Sequence, residues 1–253
     1  MILGEAEVQT IGWDAAWARG RRTLEGVVRR RFRGASEGVE LAVLDWGGEG
    51  ELVVMHHANG FCAATLAPIA AALRDRFRVV SIDARGHGDS TPVRPVGEPD
   101  PYAWRTLAAD LASVVRQLLH ETRRERVALG IGHSFGGALL LHAAGEEPAH
   151  FERLLLCDPV LFPPLTPEQQ AARPKENPLA AATRKRRDRF PTREAAFDHC
   201  RSRGLFANFT AEALSLYVAE VMKESDAGEI VLQCDREVEA AIFDGGGSSL
   251  LAE

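Results

Sequence analysis

The apolar positions of the chain keep two alternating rhythms. Short runs, alternating or continuously apolar, stand at 28–32, 39–46, 52–55, 78–83, 126–131 and 151–158. Bounded by Gly, Pro, Asn or Asp, runs of that length predict strands. The first two flank Gly34 and Gly38 and predict a β-hairpin. Between the later runs, apolar residues recur at three- and four-residue spacing over 65–75, 104–120 and 136–146, which predicts helices. Strands that alternate with helices in this way predict an α/β fold: a mostly parallel sheet with helices on both faces.

The rhythm breaks after Pro159. A proline-rich stretch follows, and 179–224 is helical, charged and interrupted at Pro191 and Gly204. Residues 229–243 read as a short extended piece and then a helix. Residues 1–26 have weak periodicity and read as a loose extension. The expected organisation is therefore an N-terminal extension (1–26), an α/β core (27–159), a helical lid (160–228) and the start of a C-terminal core segment (229–253).

Composition narrows the partners. The 253 residues hold 30 Lys and Arg against 36 Asp and Glu, a net charge of −6 that argues against a nucleic-acid surface. The clusters Arg29-Arg30-Arg31 and Arg184-Lys185-Arg186-Arg187 read as solvated faces. No run approaches the roughly 18 apolar residues of a membrane span. The acidic N-terminus lacks the pattern of a secretory peptide, so a cytoplasmic protein with no membrane partner is expected. Cys62, Cys157, Cys200 and Cys234 form no C-x-x-C pair and read as free thiols, with neither a disulfide nor a metal.

Catalytic groups of open α/β sheets sit beyond the carboxyl ends of the strands, and three stretches fall there. The first is GIGHSFGGA (130–138), a strand running through G-x-S-x-G into a helix. Small residues at 132, 136 and 137 permit a tight turn that sets Ser134 at a helix N-terminus, where developing negative charge is favoured. The second is HANGF (57–61), a loop able to offer a backbone N–H beside that of Phe135; His56 and His57 read as structural residues holding it. The third is DARGHGDS (83–90), which lacks a second ligand cluster or a phosphate-loop lysine and reads as a structural turn.

In this order and spacing the three stretches resemble the α/β-hydrolase fold superfamily, in its serine-nucleophile, lid-bearing branch, over about residues 27–243. HANGF resembles the His-Gly oxyanion loop, DARGHGDS the D-x-R-G-x-G-x-S turn and GHSFGG the nucleophile elbow. The resemblance implies that Ser134 is the nucleophile and that the N–H groups of Phe135 and Asn59 form the oxyanion hole, with Phe61 as the alternative register. It implies an acyl-enzyme on Ser134 and hydrolysis of an ester, thioester, lactone, amide or C–C bond of a small apolar carbonyl substrate. No cofactor is implied. The alternative is a non-catalytic binding or regulatory member of the fold.

The same resemblance calls for an acid and then a histidine after the last strand. The eight histidines, His56, His57, His87, His120, His133, His142, His150 and His199, all precede that point. His199, in the expected lid, is the one with reach, and an ordinary lid residue is the better reading of it. Asp158 is the candidate acid, unless the acid belongs to a later strand. The chain thus reads as truncated before the final strands, with an impaired triad and an unpaired sheet edge through which two copies could associate.

Overall fold

A computed structural model of the chain describes residues 11–95, 100–161 and 177–245, together with Thr166, Glu168 and Ala172. Six strands make the main sheet: β1 (Val28–Arg33), β2 (Glu40–Gly47), β3 (Leu52–His56), β4 (Arg78–Ile82), β5 (Leu129–His133) and β6 (Leu154–Cys157). Their order is β1-β2-β4-β3-β5-β6. β1 and β2 form the hairpin and pair antiparallel with each other, and β2 pairs antiparallel with β4, whereas β4, β3, β5 and β6 run parallel. This is the expected α/β architecture.

Alternation along the strands feeds two cores, because successive side chains leave opposite faces of a sheet. Leu41, Val43, Leu52, Val54, Val80 and Ile82 enter one core, under helices α3 (Trp104–Thr122) and α4 (Phe135–Glu146). Leu44, Trp46, Val53, Met55 and Val79 enter the other, with Ala67 and Ala70 of helix α2 (Ala67–Leu73). β6 is the last strand of the sheet among the described residues; Leu155 is 51% exposed on it.

Two expectations needed revision. The extension read as loose contains helix α1 (Trp13–Gly20), whose residues Trp13, Ala16, Trp17 and Gly20 share one face at helical spacing. Trp13 stacks on Trp17 at 6.0 Å and meets Phe197 edge-on at 5.9 Å. A Cβ on Gly20 would lie 2.6 Å from the Ser215 hydroxyl, so the helix docks as closely as a glycine allows. Sequence periodicity missed it because eight residues give barely two turns to average.

The insertion is not wholly helical either. It holds α5 (Pro178–Lys185), α6 (Arg193–Arg201) and α7 (Ala211–Glu220), and also a small antiparallel sheet. In that sheet β9 (Ile230–Leu232) lies between β7 (Arg189–Phe190) and β8 (Met222–Glu224). Strands of two or three residues leave too little alternation to be read in sequence. Residues 229–232, assigned to the core segment, pair here with the insertion. The chain then returns to the core through α8 (Arg236–Gly245), held by the Trp104 indole N–H donating to the Ile242 carbonyl at 2.8 Å.

A buried ion pair fixes the hairpin side to α3. Arg85 donates through Nε and Nη2 to the two oxygens of Asp110, each at 2.9 Å, with both side chains only 2% exposed. Asp110 also accepts the Ala35 N–H at 2.8 Å. Removing one partner of such a pair strands the other charge in a dry site. Asp110→Ala should lower unfolding stability by about 3–5 kcal/mol in urea titration, and Arg85→Met added to it should recover part of the loss.

Candidate active site

The sharpest local feature is the turn from β5 into α4. Ser134 has φ 52° and ψ −118°, a left-handed conformation costing a side-chain-bearing residue on the order of 1–3 kcal/mol. Hydrogen bonds over-determine it. Its N–H donates to the Cys157 carbonyl on β6 at 2.9 Å, and its carbonyl accepts from Gly137 at 3.0 Å and Ala138 at 3.2 Å. The glycines make the turn sterically feasible. A Cβ on Gly132 would sit 2.5 Å from the Gly137 Cα, and one on Gly136 would sit 2.5 Å from the carbonyl oxygens of both His56 and His57. The start of α4 therefore rests directly on the backbone leaving β3.

The loop after β3 is held from beneath by neutral imidazoles. His57 presents Nδ1 to the Ala58 carbonyl at 2.8 Å and so carries its proton there; its Nε2 accepts the Ala84 N–H at 2.9 Å. His87, from the DARGHGDS turn, repeats the arrangement, with Nδ1 on the Arg85 carbonyl at 3.1 Å and Nε2 accepting the Gly60 N–H at 3.1 Å. His56 stacks on His57 at 5.1 Å. All three are buried. Burial disfavours the charged form and takes His56 and His87 down to about 4, and His57 well below its ordinary value.

This arrangement also distributes the N–H groups of the loop. Gly60 gives its N–H to His87, and Phe61 gives its own to the Ala58 carbonyl at 3.1 Å. The N–H groups of Asn59 and Phe135 carry no hydrogen bond among the described residues. Asn59 is 8% exposed and its side chain is anchored, Nδ2 donating to the Glu239 carbonyl on α8 at 2.9 Å.

Other residues singled out in the sequence lie nearby but do not engage Ser134. Among the described residues no side chain hydrogen-bonds its hydroxyl. His133 turns its ring toward Phe61, 6.4 Å between centroids. Asp158, with φ 47°, is exposed at the end of β6, where its charge pulls the His133 pKa up against the stronger desolvation that lowers it. His199 packs on Phe190, 5.2 Å away, within the insertion.

Asp83, the first residue of its turn, is buried and accepts the N–H groups of Ala63 at 2.6 Å and Asp89 at 3.1 Å. Burial raises its carboxyl to about 7 despite these bonds. No group of three or more His, Cys, Asp or Glu able to hold a metal exists among the described residues, and no described helix is long and apolar enough to cross a membrane. Glu239 and Arg186 were not marked as site residues in sequence: Glu239 lies in a helical stretch with no motif around it, and Arg186 lies in the basic cluster that reads as a solvated face.

A profile of the alpha/beta hydrolase family matches residues 53–237, from the middle of β3 into α8. The chain belongs to the alpha/beta hydrolase family. Human protein phosphatase methylesterase 1 is 32% identical over 103 residues, which is 40% of this chain and 25% of that one. An uncharacterized protein of Mycobacterium bovis is 33% identical over 135 residues, 53% of this chain and 33% of its own length. The match thus spans a third or less of these relatives. Among solved structures, E-2-(acetamidomethylene)succinate hydrolase superposes with a TM-score of 0.70 at 24% identity, covering 88% of this chain and 75% of that one. As in other members of the alpha/beta hydrolase family, the chain places its G-x-S-x-G serine at a strand–helix turn.

Two outcomes follow for this rim. Gly136→Ala should destabilise the fold by about 2 kcal/mol or more in urea titration, because its Cβ meets two backbone carbonyls. Gly145→Ala, at the open end of the same helix, should stabilise it by about 0.5–1 kcal/mol. The imidazoles set the pH response. Unfolded histidines bind protons as pH falls through 6.5, whereas folded His56 and His87 resist until about 4, so stability present above pH 6.5 is lost on the way down. Asp83 acts oppositely, since its folded carboxyl keeps a proton up to about 7, but one carboxyl faces three imidazoles. The thermal midpoint should fall between pH 6.5 and 4 in a calorimetric series, and a flat profile would contradict the neutral stack.

Proposed function

We propose that the chain is a serine hydrolase acting on the ester, thioester, lactone or C–C bond of a small carbonyl substrate, through an acyl-enzyme on Ser134. One observation carries the reading. The left-handed Ser134 stands at the N-terminus of α4, which rests on the backbone leading into the loop after β3, and the N–H groups of Asn59 in that loop and of Phe135 carry no hydrogen bond among the described residues. A carbonyl oxygen directed to those donors would receive two hydrogen bonds as it becomes an oxyanion, and the helix end favours the same charge. Assigning Asn59 rather than Phe61 as second donor rests on Phe61 having spent its N–H on Ala58. The mammalian relatives named methylesterase support an ester-cleaving role, over a quarter of their length.

The proton of Ser134 has no taker among the described residues. Removing a triad histidine lowers the rate by a factor on the order of 10⁴–10⁶, leaving what the oxyanion donors and binding supply. Asp158, exposed at the end of β6, is a carboxylate on this rim available to orient a base, though no imidazole among the described residues is hydrogen-bonded to it. The lack of a base on Ser134 favours a second reading, a binding member of the family that performs no turnover.

A fluorophosphonate probe separates the two. On the first reading the 253-residue chain labels at Ser134 slowly, Ser134→Ala abolishes labelling, and added imidazole accelerates it several-fold by standing in for the base. No labelling with or without imidazole, followed by intact-mass spectrometry, would establish the binding reading instead.

A further inference from the structure

Between α5, α6, α7 and the small sheet lies a cavity of about 670 Å³. Four of the residues lining it are cations, Lys185, Arg186, Arg187 and Arg203, and none is a carboxylate. In a chain of net charge −6 this is a local inversion of sign, and apolar walls concentrate the resulting field. Those walls are Phe190, Phe206, Met222 and Leu232. A second cavity of about 320 Å³, on the other side of α6, offers nothing comparable: its one guanidinium, Arg201, is already paired with Asp198 at 2.5 Å and the Ile11 carbonyl at 2.9 Å.

The cations of the larger cavity differ in what they still lack. Arg187 lies over the Phe190 ring at 4.7 Å and gives Nε to the Arg189 carbonyl at 2.9 Å. Lys185 and Arg203 form no ion pair with a described carboxylate. Arg186 is the most constrained. Its Nη2 approaches Glu239 Oε2 to 2.6 Å, but the approach is too bent for a hydrogen bond. Nε and Nη2 are both shut off from water without an aligned acceptor, and Glu239 Oε2 is likewise without an aligned donor. Glu239 is 4% exposed and its carboxylate packs on the Cα of Gly60, so it is not free to turn and close the bond. Nη1 is not among the atoms shut off from water, so an acceptor entering from the cavity would meet the guanidinium there, in the charge-assisted contact that suits a carboxylate.

The cavity also backs onto the loop beside Ser134. Tyr217 lines it and meets Phe61 edge-on at 5.1 Å, and Phe61 reaches His133 at 6.4 Å. Arg186 lies close enough to His87 for its charge to lower that imidazole's affinity for a proton. We propose that this cavity binds the carboxylate of an amphipathic organic acid, Arg186 taking the carboxylate with Lys185 and Arg203 at the mouth, and the hydrocarbon lying against Phe190 and Phe206. Taking that acid as the far end of the molecule cleaved at Ser134 rests on the serine-hydrolase reading; the binding itself does not.

Calorimetry on the full chain tests it, with 4-phenylbutyrate and its uncharged isostere 4-phenylbutyramide as probes. The acid should bind at least about tenfold more tightly than the amide, as one charge-assisted hydrogen bond allows. Arg186→Gln should erase the difference. Because that change leaves Glu239 unpaired and endangers folding, the double variant Lys185→Ala/Arg203→Ala, on partly exposed side chains, provides the second arm; it should weaken the acid about fivefold or more and leave the amide unchanged. Equal affinity for acid and amide, no binding of either, or an unchanged acid affinity in the double variant would overturn the proposal. Ser134→Ala should bind the acid as the native chain does. Acid binding without fluorophosphonate labelling sinks only the serine reading, and labelling without acid preference sinks only this one.

Discussion

The rim of this protein depends on one backbone contact. The Cα of Gly136 lies against the carbonyls of His56 and His57, closer than any Cβ would permit. From that contact follow the steepness of the turn between β5 and α4, the left-handed backbone of Ser134, and the separation between the N-terminus of α4 and the loop after β3. Protein interiors tolerate extra methyl groups poorly where the opposing atoms are backbone, since backbone cannot move aside by changing rotamer. Gly132 and Gly136 of GIGHSFGGA are thus a steric requirement of the turn.

A second constraint settles what the loop after β3 leaves available. A buried loop must find partners for its N–H groups, and here the His87 imidazole accepts that of Gly60, while His57 of the loop accepts the Ala84 N–H of the neighbouring turn. Both rings can accept only while neutral, with their single protons on backbone carbonyls. Desolvation keeps them neutral, so burial and hydrogen bonding cooperate. The N–H groups of Asn59 and Phe135 are not used by this scheme.

How much of this was legible in the sequence varied with the length of the signal. The strands of the main sheet and helices α3 and α4 were placed within a few residues, because each carries enough periods of its pattern to stand out. The turn residues were equally readable, since Ser134, Gly132 and Gly136 belong to a spaced motif whose geometry dictates residue type. Helix α1 and strands β7 to β9 escaped, being too short for a period to emerge. The Arg186–Glu239 contact escaped for a different reason: 53 positions of sequence separate the partners, and Arg186 sits in a run of four basic residues that reads as a solvated face. Only packing reveals that Arg186, half-buried as Arg184 also is, meets the buried Glu239.

That contact ties the insertion to the rim. Glu239 touches the loop twice, its carbonyl accepting from the Asn59 side chain and its carboxylate lying where a Cβ of residue 60 would be. Gly60, with φ 75°, is required by both its backbone and this neighbour. Burial raises the Glu239 carboxyl, and the positive charge of Arg186 draws it back down. Arg186 arrives from α5's end, beyond the core, so the loop bearing Asn59 is shaped partly by how the insertion seats. A shift of the insertion that separated the pair would leave a carboxylate buried against Gly60 without its counter-charge, a state favouring either protonation or withdrawal from the loop. Seating of the insertion and the placement of the Asn59 N–H are consequently one equilibrium rather than two, and an anion drawn to Arg186 would act on both.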